Sequence, residues 1–229
     1  MQIENRGSAN TLNIQPTETD IGLSSLEAAV RKQVNQYIAL GFHKEVYPNI
    51  EEVEAIARYR ANFTLPEGAS QPEDYKGRFD VPLVVEPRLA LSLQHANSKP
   101  PIQERCKTDN IQNLTEFPNT PYLVWTHNGQ RYSKLSTEQT IHSLAGDEVG
   151  SPQIEVTALY LQHPEYFEGK GYKGAAVIAI GSRCDVVWAT LIDAYNGQPT
   201  IGACWLGPMV IDAGKASRGK EIVILGKRK

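Results

Sequence analysis

Cys204, His163 and a carboxylate from Asp193 or Asp185 are the side chains of this sequence that could divide a hydrolytic or group-transfer reaction among them. The thiol would attack, the imidazole would take its proton, and the carboxylate would orient the ring. Such a mechanism requires residues distant in sequence to meet within hydrogen-bond reach. Each also has a plainer role. Cys204 stands between Ala203 and Trp205 in an apolar run, where a free cysteine usually acts as a small buried hydrophobe. His163 precedes Pro164 where a helix should end, and an imidazole there complements the last carbonyls and the helix dipole.

A second set of residues suits binding rather than chemistry. In the loop Gly181-Ser182-Arg183-Cys184-Asp185, the arginine and the neighbouring amides offer a fork for a carboxylate or phosphate. The plainer reading is an exposed turn in which Arg183 pairs with Asp185. Trp188 and Trp205 add indole faces on flanking strands, although Trp125, Trp188 and Trp205 with Tyr122, Tyr132 and Tyr195 are equally suited to fill half-buried sheet faces.

Other chemistries find no signature. His43, His95, His127 and His142 lack metal-ligand spacing, so no metal is expected. Gly169-Lys-Gly-Tyr-Lys-Gly174 and Gly214-Lys215-Ala216 miss the phosphate-loop spacing, and neither a nucleophile elbow nor a dinucleotide fingerprint occurs. No cofactor is expected.

Composition bounds the rest. The 229 residues suffice for a substantial core, and 41% hydrophobic with 21% charged residues is ordinary globular composition. A net charge of -3 gives no field toward nucleic acid or anionic lipid. The basic cluster from Lys215 to Lys229 reads as a solvated, frayed tail. Cys106, Cys184 and Cys204 are odd in number and widely spaced, which suggests reduced thiols and a cytoplasmic location. No apolar run long enough to span a bilayer occurs, so no membrane contact is expected.

Residues 1–22 are polar and aperiodic, the pattern of a mobile leader. Over 23–65 two capping boxes, Ser24-Ser-Leu-Glu27 and Asn49-Ile-Glu-Glu52, predict a helical hairpin. Its first stripe is Leu26, Val30, Val34, Tyr37 and Ile38, closed by Gly41. Its second is Val53, Ile56, Ala57 and Arg60. Over 79–229 the pattern turns to strands, beginning with Val81-Val85 and a helix from Pro87 through Gln94. The segment 97–119 is irregular. Asn128-Gly129 between Tyr122-Thr126 and Gln130-Leu135 signals a hairpin. Helices follow at Ser136-Gly146 and from Ser151-Pro152 to His163, then strands at 175–180, 186–192, 200–206 and 221–225 on short connections that favour antiparallel pairing. The expected class is α+β: a helical hairpin plus a mixed, mainly antiparallel sheet with helices against it.

From Phe79 onward the chain resembles an uncharacterised bacterial domain-of-unknown-function family. The matching residues are Val81-Pro82-Leu-Val-Val85, Tyr122-Leu-Val124, Ile154-Glu155 with Ala158-Leu159 and His163-Pro164, Gly181-Ser182-Arg183, Trp188 and Gly202-Ala-Cys204-Trp205-Leu206. After Trp205 this chain departs from that family's usual polar and aromatic continuation. The resemblance supports the fold expectation and transfers no activity. The reading is therefore a domain that binds a small molecule or peptide through its C-terminal sheet and the 181–185 loop. The alternatives are a hydrolase or transferase using Cys204 or His163, and a protein-interaction module using the N-terminal helices.

Overall fold

The structure, a computed structural model, describes residues 24–127, 131–167, 176–185, 188–195, 197–206 and 214–226. The leader read over residues 1–22 lies outside them. Helices α1 (Ser25–Ala39), α2 (Phe42–Val46), α3 (Glu52–Ala61), α4 (Leu91–Asn97), α5 (Thr137–Ser143) and α6 (Gln153–Gln162) pack on one sheet. Its strands are β1 (Val81–Val85), β2 (Gln103–Glu104), β3 (Gln112–Asn113), β4 (Tyr122–Thr126), β5 (Glu148–Gly150), β6 (Val177–Arg183), β7 (Trp188–Tyr195), β8 (Gln198–Trp205) and β9 (Gly214–Ile224). The spatial order is β1-β4-β9-β6-β7-β8-β2, with β3 paired to β6 and β5 to β9. The class is α+β, as the sequence predicts.

Local chemistry starts the helices. Ser24 Oγ accepts from the Glu27 amide at 3.2 Å and the Glu27 carboxylate accepts from the Ser24 amide at 2.8 Å, a closed capping box. Val30, Val34 and Tyr37 are buried as their spacing requires, and Gly41 follows the helix in the left-handed region at φ 82°. The second capping box does not form. Helix α3 starts from Glu51 without a side-chain cap and buries Ala55 and Tyr59, leaving Val53 72% exposed. The short α2 and the aromatic pair Tyr59 and Phe63 turn α3 to a face other than the apolar stripe read from sequence. The helix expected from Pro87 begins later, at Leu91.

The period of two along each strand divides the core between the two faces of the sheet. Leu83, Val85, Tyr122, Val124, Ala216, Val177, Ala179, Ile192 and Ile201 pack against α6 on one face. On the other, Val84, Leu123 and Trp125 meet α1–α3, while Ile178, Ile180, Ala189, Leu191 and Cys204 meet α5. Strand β1 ends the spatial order, and side chains close that edge. Gln33 donates to the Pro82 carbonyl at 2.7 Å and accepts from the Val84 amide at 2.7 Å. Tyr37 Oη and Gln162 Nε2 both donate to the Val84 carbonyl at 2.7 Å. Backbone groups that could pair with a foreign strand are thereby occupied.

Three sequence expectations change. The basic segment read as a frayed tail holds β9, which pairs antiparallel with β4 and β5 and parallel with β6. Lys215 and Arg218 are buried there. The sheet is mixed and mainly antiparallel, as expected, with β6-β7-β8 as an antiparallel meander; what changes is the last strand, which the short connections predicted to pair antiparallel and which runs parallel to β6. The predicted hairpin partner of β4 is absent, because residues 131–135 form turns and β4 takes β1 and β9 as neighbours; Asn128 to Gln130 lie outside the described residues.

Tyr75 locks β9 from outside the sheet. Its hydroxyl accepts from the Glu221 amide at 3.1 Å, and its ring lies so close to Gly219 that a Cβ there would sit 2.2 Å from a ring carbon. Gly219→Ala should cost about 1–3 kcal/mol by overpacking. The check is urea unfolding: the midpoint falls at unchanged slope, whereas an unchanged midpoint would show that Tyr75 does not press on β9.

Candidate functional site

Gly181, Ser182 and Arg183, read from sequence as part of a loop, belong to the end of β6, and only Cys184 and Asp185 beyond them build a wall of a cleft. Past β6 the chain turns with Asp185 at φ 97°, a conformation non-glycine residues rarely adopt and that concentrates at functional sites. The Cys184 amide donates to the Trp188 carbonyl at 2.9 Å and pinches the turn shut. Opposite, β2 pairs parallel with β8, and beyond it the Arg105 and Cys106 amides both donate to the Ile201 carbonyl at 3.0 and 3.3 Å. A disulfide joins Cys106 to Cys184 with an S–S distance of 2.01 Å. Two segments that are 78 residues apart are therefore covalently tied at the mouth of the cleft.

That cleft has a volume of about 480 Å³ and is lined by Arg105, the disulfide, Asp185, Trp188, Asp193 and the middle of β8. Burial raises the Asp193 carboxyl above its ordinary range, against the pull of the Arg105 guanidinium. Trp188 and Trp205 are cross-strand partners whose rings meet edge to face, with centroids 5.5 Å apart. They remain 37% and 46% exposed, whereas Trp125 is buried. The core reading of the tryptophans thus holds for Trp125 and fails for the pair beside the cleft.

The remaining sequence-predicted residues have other duties. Ser182 is fully buried, donates to Asn113 Oδ1 at 2.7 Å and accepts from the Gln153 amide at 2.7 Å, which anchors the start of α6. Arg183 is partly buried rather than an exposed partner of Asp185, and its Nη1 donates to the Ile180 and Ser182 carbonyls at 3.0 and 2.9 Å. Cys204 lies buried against α5, and burial pushes its thiol up, away from the thiolate. His163 follows α6 and pairs with Glu165 at 3.1 Å while stacking on Tyr166. No hydrogen bond joins Cys204 to His163 among the described residues, so the thiol–imidazole couple is not assembled. Cys106 and Cys184 are oxidised, which corrects the expectation of three reduced thiols.

Two buried histidine networks escaped the sequence reading. In the first, His95 Nδ1 faces Glu104 Oε1 at 3.2 Å and Nε2 faces Thr157 Oγ1 at 3.1 Å. This is the acid–base–hydroxyl order of a hydrolase triad. Thr157 is nevertheless fully buried within α6, so the network braces α4, β2 and α6 and holds Glu104 beside Arg105. In the second, Tyr132 Oη donates to Glu148 Oε2 at 2.9 Å and Ser217 Oγ donates to Glu148 Oε1. With the Ser217 proton committed to Glu148, His127 Nε2 at 2.8 Å must donate to Ser217 Oγ. A base that donates to the serine cannot activate it, and Ser217 is fully buried. Both networks secure the fold.

Comparison of the chain with family models, curated proteins and solved structures returns no match. The family resemblance accordingly rests on its sequence pattern alone. No helix among the described residues is long and apolar enough to cross a membrane. Among those residues no cluster of three metal-ligating side chains occurs.

Two measurements follow. Reduction of Cys106–Cys184 releases a loop of 78 residues, a loss of about 4.5 kcal/mol on loop-closure grounds. Urea midpoints should fall in dithiothreitol and in Cys184→Ser, and equal midpoints with and without reductant would contradict the bond. Burial depresses the His127 pKa to about 4, so the unfolded chain binds the extra proton between that value and the unfolded pKa of about 6.5. The corresponding stability is present above pH 6.5 and lost as pH falls toward 4. His127→Gln, which keeps a donor for Ser217, should remove roughly 3 kcal/mol of the acid-side loss. An unaltered acid limb would show that His127 is not buried neutral.

Proposed function

We propose that this chain is a binding domain that holds a small molecule or a peptide segment in the cleft between Arg105, Asp185, Trp188 and Asp193. The observation that carries the reading is the exposed Trp188–Trp205 pair at a cleft whose walls are fixed by a disulfide. Large aromatic area left out of the core, beside a few convergent polar groups, is the usual composition of a ligand site. The end of β6 and the turn after it contribute through Cys184 and Asp185, while Ser182 and Arg183 hold the backbone that presents them. An enzymatic role through Cys204 and His163 has less support, since burial disfavours the thiolate and its base stands elsewhere.

A disulfide at the cleft mouth suits a compartment in which thiols oxidise, and this favours an oxidising location over the cytoplasm. A protein-interaction role at the N-terminal helices has one specific support. The groove between α1 and the end of α3, about 400 Å³, has an apolar floor of Val30, Val34 and Phe63 beneath Arg31 and Arg60.

A thermal-shift screen of sugars, amino acids, amines and nucleotides on the wild type and Trp188→Ala tests the cleft reading. At a hundredfold excess over Kd a ligand should raise the wild-type Tm by about 5–10 °C and leave the variant unmoved. If no compound distinguishes the two proteins, the cleft is not the site. A polypeptide that stays bound to both in native mass spectrometry would assign function to the helical groove instead.

A further inference from the structure

We propose that the cleft recognises a saccharide, presented as a neutral ring with adjacent hydroxyls, an inference that rests on the binding reading above and specifies its ligand class. The first ground is charge. One guanidinium, Arg105, and two carboxyls, Asp185 and Asp193, share the lining, and burial shifts Asp193 toward its neutral form, so the opposed charges leave little net field to hold a charged ligand. Phosphate would face both carboxyls with a single arginine in support. An organic cation would meet the two carboxyls but also the Arg105 guanidinium in the same lining.

The second ground is hydrogen-bond chemistry. A sugar hydroxyl both donates and accepts, so it can donate to an aspartate and accept from an arginine in the same wall. Arg105 and Asp185 already hold contacts within the fold. A guanidinium carries five donors and a carboxylate about four lone-pair sites, so either kind of group can serve several partners at once. Both groups are planar forks, matched to two hydroxyls on neighbouring ring carbons.

The third ground is the indole. Trp188 lines the cleft while more than a third of its surface meets solvent. Its flat apolar face suits the C–H face of a pyranose ring, which is itself apolar on one side and polar at its rim. Trp205, edge to face with Trp188 at 5.5 Å, fixes the ring that does the stacking. The lining is preorganised: the disulfide, the double amide contact to the Ile201 carbonyl and the Cys184–Trp188 bond hold Arg105, Asp185 and Trp188 before a ligand arrives.

The test is a glycan array probed with the full oxidised chain, followed by calorimetric titration of the best-bound saccharide into wild type, Trp188→Ala and Asp193→Asn. Circular dichroism confirms that the variants fold. The expected result is saturable binding to a defined set of glycans, weakened at least about tenfold by each substitution. A blank array with binding of a free amino acid or an amine that depends on Trp188 would overturn the saccharide assignment and leave the cleft as a binding site. Glycan binding indifferent to both substitutions would overturn the location. No binding of any of these classes would overturn the saccharide and the binding reading together.

Discussion

Strand β9 comes last among the described elements and lies in the middle of the sheet, and the rest of the molecule depends on that placement. One edge of it pairs with β4, the other with β5 and then β6. Its side chains enter both cores: Ala216 and Ile222 meet the α6 side, and Val223 meets the helices α1–α3. Until β9 is in place, β1 and β4 have no connection to β6, β7 and β8 through the sheet. Among the described residues the two halves of the sheet, one carrying the N-terminal helices and one carrying the cleft, join only across this strand.

Placing a polar strand centrally has an electrostatic cost that the structure offsets at named positions. Arg218 Nε lies 2.9 Å from Glu155 Oε1, which also accepts from Tyr122 Oη at 3.0 Å, and all three groups are buried. Burial raises the Glu155 carboxyl while Arg218 pulls it down. Ser217 is held by Glu148, His127 and the Thr126 hydroxyl, which donates to its carbonyl at 2.6 Å. Buried ion pairs of this kind add little net stability compared with apolar packing, but removing one partner strands the other. They therefore fix the register of β9 against β4 and β5 more than they strengthen it. That register positions β6, and through β6 the meander β6-β7-β8, whose strands β7 and β8 carry Trp188, Asp193 and Trp205.

Elements governed by neighbours in sequence were legible from it. The capping box at Ser24, the helix starting after Ser136, the stripe Val30, Val34 and Tyr37, and the strands β1, β4, β6, β7 and β8 all follow from local pattern. Elements decided by distant partners were not. Lys215 and Arg218 read as solvated charge because Glu155, which pairs with Arg218, lies on a separate helix. Asn128-Gly129 satisfied the local grammar of a hairpin, yet β4 found better partners in β1 and β9. The site was half visible. The Gly181–Asp185 loop and Trp188 stood out, whereas Arg105 and Cys106 come from an irregular segment whose one signal was a cysteine, and three cysteines do not reveal which two pair.

Amide hydrogen exchange over the Gly214–Ile224 segment tests this account most directly. The strand pairs with β6 and β5 over Gly214–Gly219 and with β4 at Arg218 and Ile222–Ile224, so its buried stretch 214–219 opens only when the sheet opens, and the amides of that stretch should be among the slowest in the protein, with protection approaching the global unfolding free energy. Exchange of the same segment within seconds, as a frayed basic tail would show, would contradict the placement of β9 and with it the arrangement that presents the cleft.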